Sequence, residues 1–246
     1  MRLLYLLYTW LVFIPLFVLD TLFVGCLCLL LAPFLSARKV GFSTAVPWSR
    51  VGLLFSWVKV HVHGLEHIDR SQSYIVVANH LSLFDIWVLY GWLRMDLRWV
   101  AKKEVAWIPI IGICCVALGH VFIDRANRNK AMASLEKARA RITRGTSILF
   151  FPEGTRSRTG NITPFKKGAF HMAKELNLPV LPVSILGTHE ILPSDTARLT
   201  PAREVRLIIH APISAADHDV DTLMQLSHSA VASALSAAPI ANQMAQ

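Results

Sequence analysis

Residues 79–85 read NHLSLFD and directly follow an apolar, strand-like run, so that His80 lies five positions before Asp85. Histidine is the side chain whose ordinary pKa lies near neutrality, so it can accept and return a proton. An aspartate bonded to one ring nitrogen would fix the tautomer of that histidine. The spacing indicates a His–Asp general base. From these residues alone, the alternative of an ordinary loop histidine beside a helix capped by Asn79 and Ser82 stays open.

Ser82 lies in the same segment, which raises the question of a Ser–His–Asp triad. In such triads the nucleophile and the base normally come from different segments of the chain. The sequence also contains no G-x-S-x-G nucleophile elbow. We therefore predict that His80 activates a hydroxyl group of the substrate and that Ser82 is a helix cap.

A second polar cluster, FPEGTRSRTG, occupies residues 151–160. Gly154 frees the backbone so that amide groups can approach an anion, and the planar guanidinium of Arg156 matches two phosphate oxygens. Thr155 adds a hydroxyl group, and Glu153 either holds Arg156 or contacts hydroxyl groups of the substrate. This composition predicts an anion-binding loop, with a polar surface loop as the alternative.

The elements around these clusters alternate between short β-rich runs and helical runs. The predicted strands are 74–78, 97–101, 113–123, 147–151, 180–186 and 204–210, and the predicted helices are 127–144, 166–177 and 219–236. Such alternation is typical of an α/β fold with a mixed, largely parallel sheet flanked by helices. Three clusters follow strands directly: NHLSLFD, AKKE at 101–104 with Lys102, and FPEGTRSRTG. If these strands are parallel neighbours, all three clusters meet at one edge of the sheet.

The first third of the chain is apolar. Residues 3–35 contain one charged residue, Asp20, and are long enough to span a bilayer, although Pro15 leaves open a kinked span or a hairpin. Residues 51–60 suit an interfacial helix. We therefore expect a membrane-anchoring segment over 1–60 and an α/β domain over 61–246.

The charge pattern favours an anionic partner. Residues 94–174 carry 16 Lys and Arg against 5 Asp and Glu, within a chain of net charge +9. Neither a phosphate-binding P-loop nor a nucleic-acid reader motif accompanies this charge, so we expect no nucleic-acid partner. The basic bulk beyond the anchor indicates that the domain faces the cytoplasm. His61, His63 and His67 lack carboxylates or cysteines at a supporting spacing, so no metal site is expected.

These motifs together resemble those of the membrane-bound glycerolipid acyltransferases, in particular the lysophosphatidate (1-acylglycerol-3-phosphate) acyltransferases. The N-H-x-x-x-x-D motif corresponds to Asn79, His80 and Asp85, and F-P-E-G-T-R-S to residues 151–157. GHVFIDR at 119–125 and LPVSILG at 181–187 are similar to two further motifs, and VAKKEVAWIPIIG and FKKGAFHMA to linking signatures.

The resemblance implies transfer of a fatty acyl group from acyl-CoA or acyl-carrier protein to the free sn-2 hydroxyl of lysophosphatidic acid, giving phosphatidic acid. His80 would act as the base and Asp85 would orient it, with no cofactor besides the donor. The residues implied in substrate binding are Lys102, Arg125, Glu153, Gly154, Thr155 and Arg156. The implied location is the cytoplasmic face of a bacterial inner membrane.

Three alternatives stay open from the sequence. The acceptor can be another lysolipid, such as a lyso-ornithine lipid. A second class is a lipid hydrolase, which needs a nucleophile that the sequence does not provide. The third class is a non-catalytic module that binds a membrane surface through the basic helix predicted at 127–144.

Overall fold

The computed structural model describes residues 2–124, 126–127, 133–134, 136, 139, 142, 145–196, 199–200 and 204–243. Within these residues an N-terminal helical segment is followed by a seven-stranded sheet with helices on both faces. The predicted class, a mixed and largely parallel α/β sheet preceded by an apolar helical segment, is confirmed.

The N-terminal segment is one long apolar helix. It consists of α1 (Arg2–Tyr8), a π-helical turn (Thr9–Phe13) and α2 (Ile14–Leu31). Among the described residues, Leu3–Leu31 is the one helix long and apolar enough to cross a membrane. The π-helical turn ends two residues before Pro15, which has no N–H group to donate to the preceding turn, so the change of helix type accommodates the proline.

Two short helices, α3 (Ala37–Ser43) and α4 (Ala45–Phe55), follow. Helix α4 runs back along the apolar helix: Trp48 Nε1 donates to Thr21 Oγ1 at 2.9 Å, and the Tyr8 hydroxyl donates to the Phe55 carbonyl at 2.8 Å. Leu53 of α4 is fully buried in the core of the sheet domain. The apolar helix is therefore packed lengthwise against the rest of the protein and does not project away from it.

The strands are β1 (Lys59–His63), β2 (Ile75–Ala78), β3 (Asp96–Lys102), β4 (Val121–Ile123), β5 (Thr146–Phe150), β6 (Val180–Leu186) and β7 (Glu204–Ile209). Their order in the sheet is β1-β7-β6-β2-β5-β3-β4. All neighbours are parallel except β6 and β7, which are antiparallel. Strands β6, β2, β5 and β3 therefore end at the same edge of the sheet.

The remaining helices are α5 (Phe84–Leu93), α6 (Ile111–Ala117), α7 (Gly168–Leu176), α8 (Thr188–Ile191) and α9 (Val220–Gln243). Side chains of β2 alternate between two cores. Val76 packs with the α4 and α5 side chains on one face, and Val77 packs with the α7 and α9 side chains on the other. Strands β2, β5 and β6 are buried along their whole length, which explains why they appear as continuous apolar runs in the sequence.

The predicted strands are confirmed except for 113–123, which is wrong over most of its length. Helix α6 occupies its first part, Gly119 turns the chain with a φ of +75°, and only β4 is a strand. An unbroken apolar run carries no periodicity that would separate a buried helix from a buried strand. Strand β1 was not predicted, because its first residues fall within the interfacial helix predicted at 51–60.

Two of the three predicted helices are confirmed. Those at 166–177 and 219–236 are confirmed as α7 and α9, whereas most of 127–144 lies outside the described residues. The division at residue 60 stays a prediction. In the structure β1 begins at Lys59, and Val58 already belongs to the main core.

His120 is a buried histidine whose ring nitrogens are both engaged. The Trp99 N–H lies 3.2 Å from Nδ1 and can only donate, so Nδ1 is the unprotonated nitrogen and Nε2 donates to the Tyr90 hydroxyl at 2.5 Å. Burial, and to a smaller extent the positive charge of Arg98, lowers the pKa of His120 from 6.5 to about 3. Protonation of Nδ1 is further disfavoured because that proton would point at the Trp99 N–H group.

We expect this histidine to make the protein sensitive to acid. Below pH ~6.5 the unfolded chain binds a proton on His120 and the folded protein does not, so the free energy of unfolding falls by roughly 1.4 kcal/mol per pH unit. Chemical unfolding of the wild type and of His120→Gln between pH 7.5 and 5 checks this. The wild type should lose about 2 kcal/mol more than the variant at pH 5. Equal losses would assign the acid sensitivity to other groups.

Candidate active site

The loops that follow β2 and β5 are in contact at one edge of the sheet, and β3 ends at the same edge, as predicted. The His80 ring follows β2 and stacks on the Phe151 ring, which follows β5, with centroids 3.8 Å apart and an interplanar angle of 10°. The Trp99 ring of β3 also lies next to Phe151, with the two ring centroids 5.9 Å apart. The neighbouring positions of these parallel strands account for this convergence.

His80 and Asp85 form a hydrogen-bonded pair. His80 Nδ1 lies 2.9 Å from Asp85 Oδ2, and the Asp85 side chain is fully buried while that of His80 is 14% exposed. The same Oδ2 accepts the backbone N–H groups of Leu81 at 2.7 Å and Ser82 at 2.8 Å. An ionised carboxylate only accepts, so Nδ1 carries the proton and Nε2 is left as a proton acceptor.

Thr188 completes the environment of Asp85. Its hydroxyl donates to Asp85 Oδ1 at 2.5 Å across 103 positions of sequence. Thr188 begins α8 directly after Gly187, whose φ of +93° turns the chain at the end of β6. Sequence reasoning missed this residue. The available signal was a Gly-Thr pair directly after a predicted strand, at the edge where the other polar clusters were expected.

Glu153 holds the backbone of His80. Its Oε1 accepts the His80 N–H at 2.7 Å, and its Oε2 accepts the Thr163 N–H at 2.8 Å and the Thr163 hydroxyl at 2.7 Å. The Ser157 N–H donates to the His80 carbonyl at 2.8 Å. Both oxygens of the buried Glu153 carboxylate are thus bonded within the protein, so its role here is to hold the backbone, and the predicted substrate contact by Glu153 stays a prediction.

Gly154, Thr155 and Arg156 form the accessible part of the same loop. Gly154 has a φ of +80°, a backbone conformation that favours glycine. Thr155 is exposed. Arg156 is half-buried and forms no ion pair with any residue that the structure describes.

The lysines at the end of β3 lie at the same sheet edge. Lys102 is exposed, and its Nζ lies 3.4 Å from Glu104 Oε1. An exposed ion pair of this kind contributes little to stability in water. Lys103 donates to Asp124 at 2.8 Å, and this hydrogen bond raises the pKa of Lys103. Lys102 is therefore the more available of the two cations. Arg125, also predicted to bind substrate, lies outside the described residues.

Ser82 is not placed to act as a nucleophile. It is fully buried, and its hydroxyl donates to the Leu192 carbonyl at 2.8 Å and accepts the Phe84 N–H at 3.3 Å. The predicted capping role is wrong: Leu83 is the N-cap of α5, no side chain caps this helix, and the second bond of Ser82 is a local contact to the first residue of α5. Among the described residues no group of three His, Cys, Asp or Glu side chains is arranged to hold a metal ion.

Residues 59–186, more than half of the chain, match the family model described as Acyltransferase. This chain belongs to the Acyltransferase family. The matched stretch runs from the first residue of β1 to the last residue of β6 and includes the His80–Asp85 pair and the 151–157 loop. The predicted kinship is therefore confirmed.

Two of the relatives that this chain matches are named 1-acyl-sn-glycerol-3-phosphate acyltransferases. A chloroplastic 1-acyl-sn-glycerol-3-phosphate acyltransferase of Brassica napus is 33% identical over 184 residues, covering 74% of this chain and 53% of the relative. The alpha form from Ovis aries is 33% identical over 157 residues, covering 63% and 55%. This chain thus spans about half the length of the curated relatives that it matches.

A solved structure is similar over nearly its full length. The crystal structure of the 1-acyl-sn-glycerophosphate acyltransferase PlsC from Thermotoga maritima superposes with a TM-score of 0.84 at 30% identity. The alignment covers 96% of this chain and 97% of that chain. The similarity therefore includes the N-terminal helices as well as the sheet domain.

Proposed function

We propose that this chain transfers a fatty acyl group from a thioester donor, acyl-CoA or acyl-carrier protein, to the free sn-2 hydroxyl of lysophosphatidic acid, forming phosphatidic acid. The observation that carries the proposal is the His80–Asp85 pair, in which Nδ1 donates to a fully buried carboxylate at 2.9 Å. The family of the chain and the named activity of its relatives support the reaction.

In the proposed mechanism His80 Nε2 accepts the proton of the acceptor hydroxyl as its oxygen attacks the thioester carbonyl carbon. The new C–O bond forms while the carbonyl electrons move to oxygen. When the carbonyl re-forms, the C–S bond breaks and the departing thiolate takes the proton back from Nε2. Asp85 keeps Nδ1–H oriented and stabilises the imidazolium that forms transiently. No acyl-enzyme and no cofactor besides the donor are required.

Arg156 and Lys102 are the proposed ligands of the acceptor phosphate. Both lie at the same sheet edge as His80, and neither is held by a strong ion pair among the described residues. The Arg156 guanidinium can donate two parallel hydrogen bonds to phosphate oxygens. Binding the phosphate would hold the neighbouring glycerol hydroxyl near Nε2, so orientation of the acceptor follows from recognition of its charge.

The proposed location is the cytoplasmic face of a bacterial inner membrane. The apolar helix Leu3–Leu31 supports membrane association, and the excess of Lys and Arg in the sequence of residues 94–174 suits an anionic lipid surface. At that face of the membrane, the soluble donor and the membrane-bound acceptor could both reach the site that contains His80.

His80→Ala should lower the rate of acyl transfer about a thousandfold, the usual contribution of a general base. Asp85→Asn should lower it about a hundredfold, because the asparagine no longer fixes the tautomer. The assay offers labelled acyl-CoA and lysophosphatidic acid to the full chain in lipid nanodiscs. Ser82→Ala is the control and should retain a rate within about tenfold. A loss in Ser82→Ala equal to that in His80→Ala, with release of free fatty acid by the wild type, would indicate a hydrolase.

Thr188 is proposed as a positioning residue that acts through Asp85. Thr188→Val keeps the shape but leaves Oδ1 without its hydroxyl donor, so kcat should fall about tenfold with little change in the acceptor KM. Thr188→Ser retains the hydroxyl and should restore the rate. If Val and Ser variants have equal kcat values, the hydrogen bond from Thr188 does not support catalysis.

Arg156→Ala tests the identity of the acceptor head group. Loss of a bidentate, charge-assisted contact should lower kcat/KM for lysophosphatidic acid about a hundredfold. Activity with monoacylglycerol, which has no phosphate, should be unaffected. Arg158→Ala, an exposed neighbour in the same loop, is the matched control. A mild effect of Arg156→Ala on lysophosphatidic acid would instead favour a lysolipid without a phosphate monoester, such as a lyso-ornithine lipid.

A further inference from the structure

Four large apolar side chains are exposed between β3 and β4. Trp107 is 82% exposed, Ile108 44%, Ile113 58% and Val116 62%, and we refer to these four as the Trp107 patch. Trp107 and Ile108 lie in the connection before α6, and Ile113 and Val116 lie three residues apart on α6 itself, so they share one face of that helix. The proposed chemistry uses none of them.

The patch is attached to the apolar helix. Cys114 Sγ of α6 lies 3.6 Å from the Gly25 carbonyl of α2, and Ile110 packs so tightly on Gly25 that an added Cβ atom there would overlap it. Ile110 has a φ of +64° and lies in a γ-turn closed by the Ile111 N–H and the Pro109 carbonyl at 2.7 Å. A β-branched residue keeps such a conformation only when its surroundings hold it. The patch is therefore fixed in place beside α2.

The composition of this region suits a lipid environment. Residues 105–123 contain no Asp, Glu, Lys or Arg, and Lys102 and Lys103 lie at the end of β3 and the start of the turn that leads to Trp107. On α2, Leu22 lies three residues before Gly25 on the same face of the helix and is 43% exposed, so exposed apolar side chains continue from α2 onto α6. A tryptophan between an apolar surface and charged residues is typical of a membrane interface.

We propose that the Trp107 patch enters the hydrocarbon region of the membrane as a second contact, separate from the apolar helix and continuous with it. The inference rests on the proposed function, in which the acceptor lies in the same lipid surface. β3 ends at the sheet edge that carries His80, and the turn of residues 103–107 continues directly from it. Insertion of the patch would therefore hold the mouth of the active site against the bilayer.

The lipid bilayer fits this surface better than a second protein chain. A protein partner would have to cover both the patch and the neighbouring face of the 29-residue apolar helix, most of which is not buried within the protein. The bilayer covers both at once. It also supplies the acyl chain of the acceptor at the edge where His80 lies.

Tryptophan fluorescence locates Trp107 directly. The chain has seven tryptophans, so the emission of Trp107 is obtained as the difference between wild type and Trp107→Phe. In nanodiscs made with phosphatidylcholine brominated on its acyl chains, this difference emission should be strongly quenched, whereas iodide in solution should quench it little. Quenching by iodide and not by the brominated chains would overturn the proposal.

A kinetic comparison tests the consequence for the site. Ile113→Asp places a charge in the patch and should lower the acylation of lysophosphatidic acid in phosphatidylglycerol-containing vesicles about tenfold. Its rate with a short-chain acceptor dissolved below its micellar concentration should be unchanged. Leu226→Asp, an exposed apolar position on α9 across the sheet, should change neither rate.

The outcomes separate the two proposals. If the wild-type chain acylates neither acceptor, the proposed function is contradicted. The membrane contact is then decided independently by the fluorescence measurement. Equal vesicle rates for wild type and Ile113→Asp, with active protein on the dissolved acceptor, would contradict the membrane contact alone.

Discussion

The site depends on one buried carboxylate. Asp85 is fully buried, and a buried charge is tolerated only when hydrogen-bond donors surround it. Two backbone N–H groups, a threonine hydroxyl and the His80 ring supply these donors. Because they come from the end of β2, the start of α5 and the end of β6, stabilising the Asp85 charge fixes these three elements relative to one another. The orientation of His80 follows from that arrangement.

A second layer of contacts fixes the backbone of His80 itself. Glu153 accepts its N–H and the Ser157 N–H donates to its carbonyl, so the loop after β5 is bonded to the residue after β2 on both sides. Asn79 does the same toward β6, with its side-chain amide donating to the Ile185 carbonyl and accepting the Ile185 N–H, each at 2.8 Å. Most motif residues thus hold one another in place by hydrogen bonds within the protein. The His80 Nε2 and the Arg156 guanidinium are left available to a substrate.

The apolar helix and the sheet domain form one body. Contacts run from Tyr8 near the start of the helix to Gly25 near its end, so a membrane that holds the helix also meets the surface beside it. This constraint connects two properties of the chain. The candidate active site lies at one sheet edge, and exposed apolar side chains lie on α2 and on the connection that leaves the same edge.

The sequence by itself determined the elements whose character is local. Apolar runs of strand length indicated β2, β5 and β6. The polar clusters after β2, β3 and β5 correctly indicated that these strands end at a shared edge. The five-residue spacing indicated the His80–Asp85 pair, because a strand followed by a helical turn brings those side chains together. The tertiary structure alone decided that Thr188 reaches Asp85 and that Glu153 bonds the His80 backbone. Those contacts join residues 103 and 73 positions apart, and only the order and direction of strands bring such residues together. It also decided that 113–123 begins as a helix, since a run that is apolar throughout has no period until its neighbours select one.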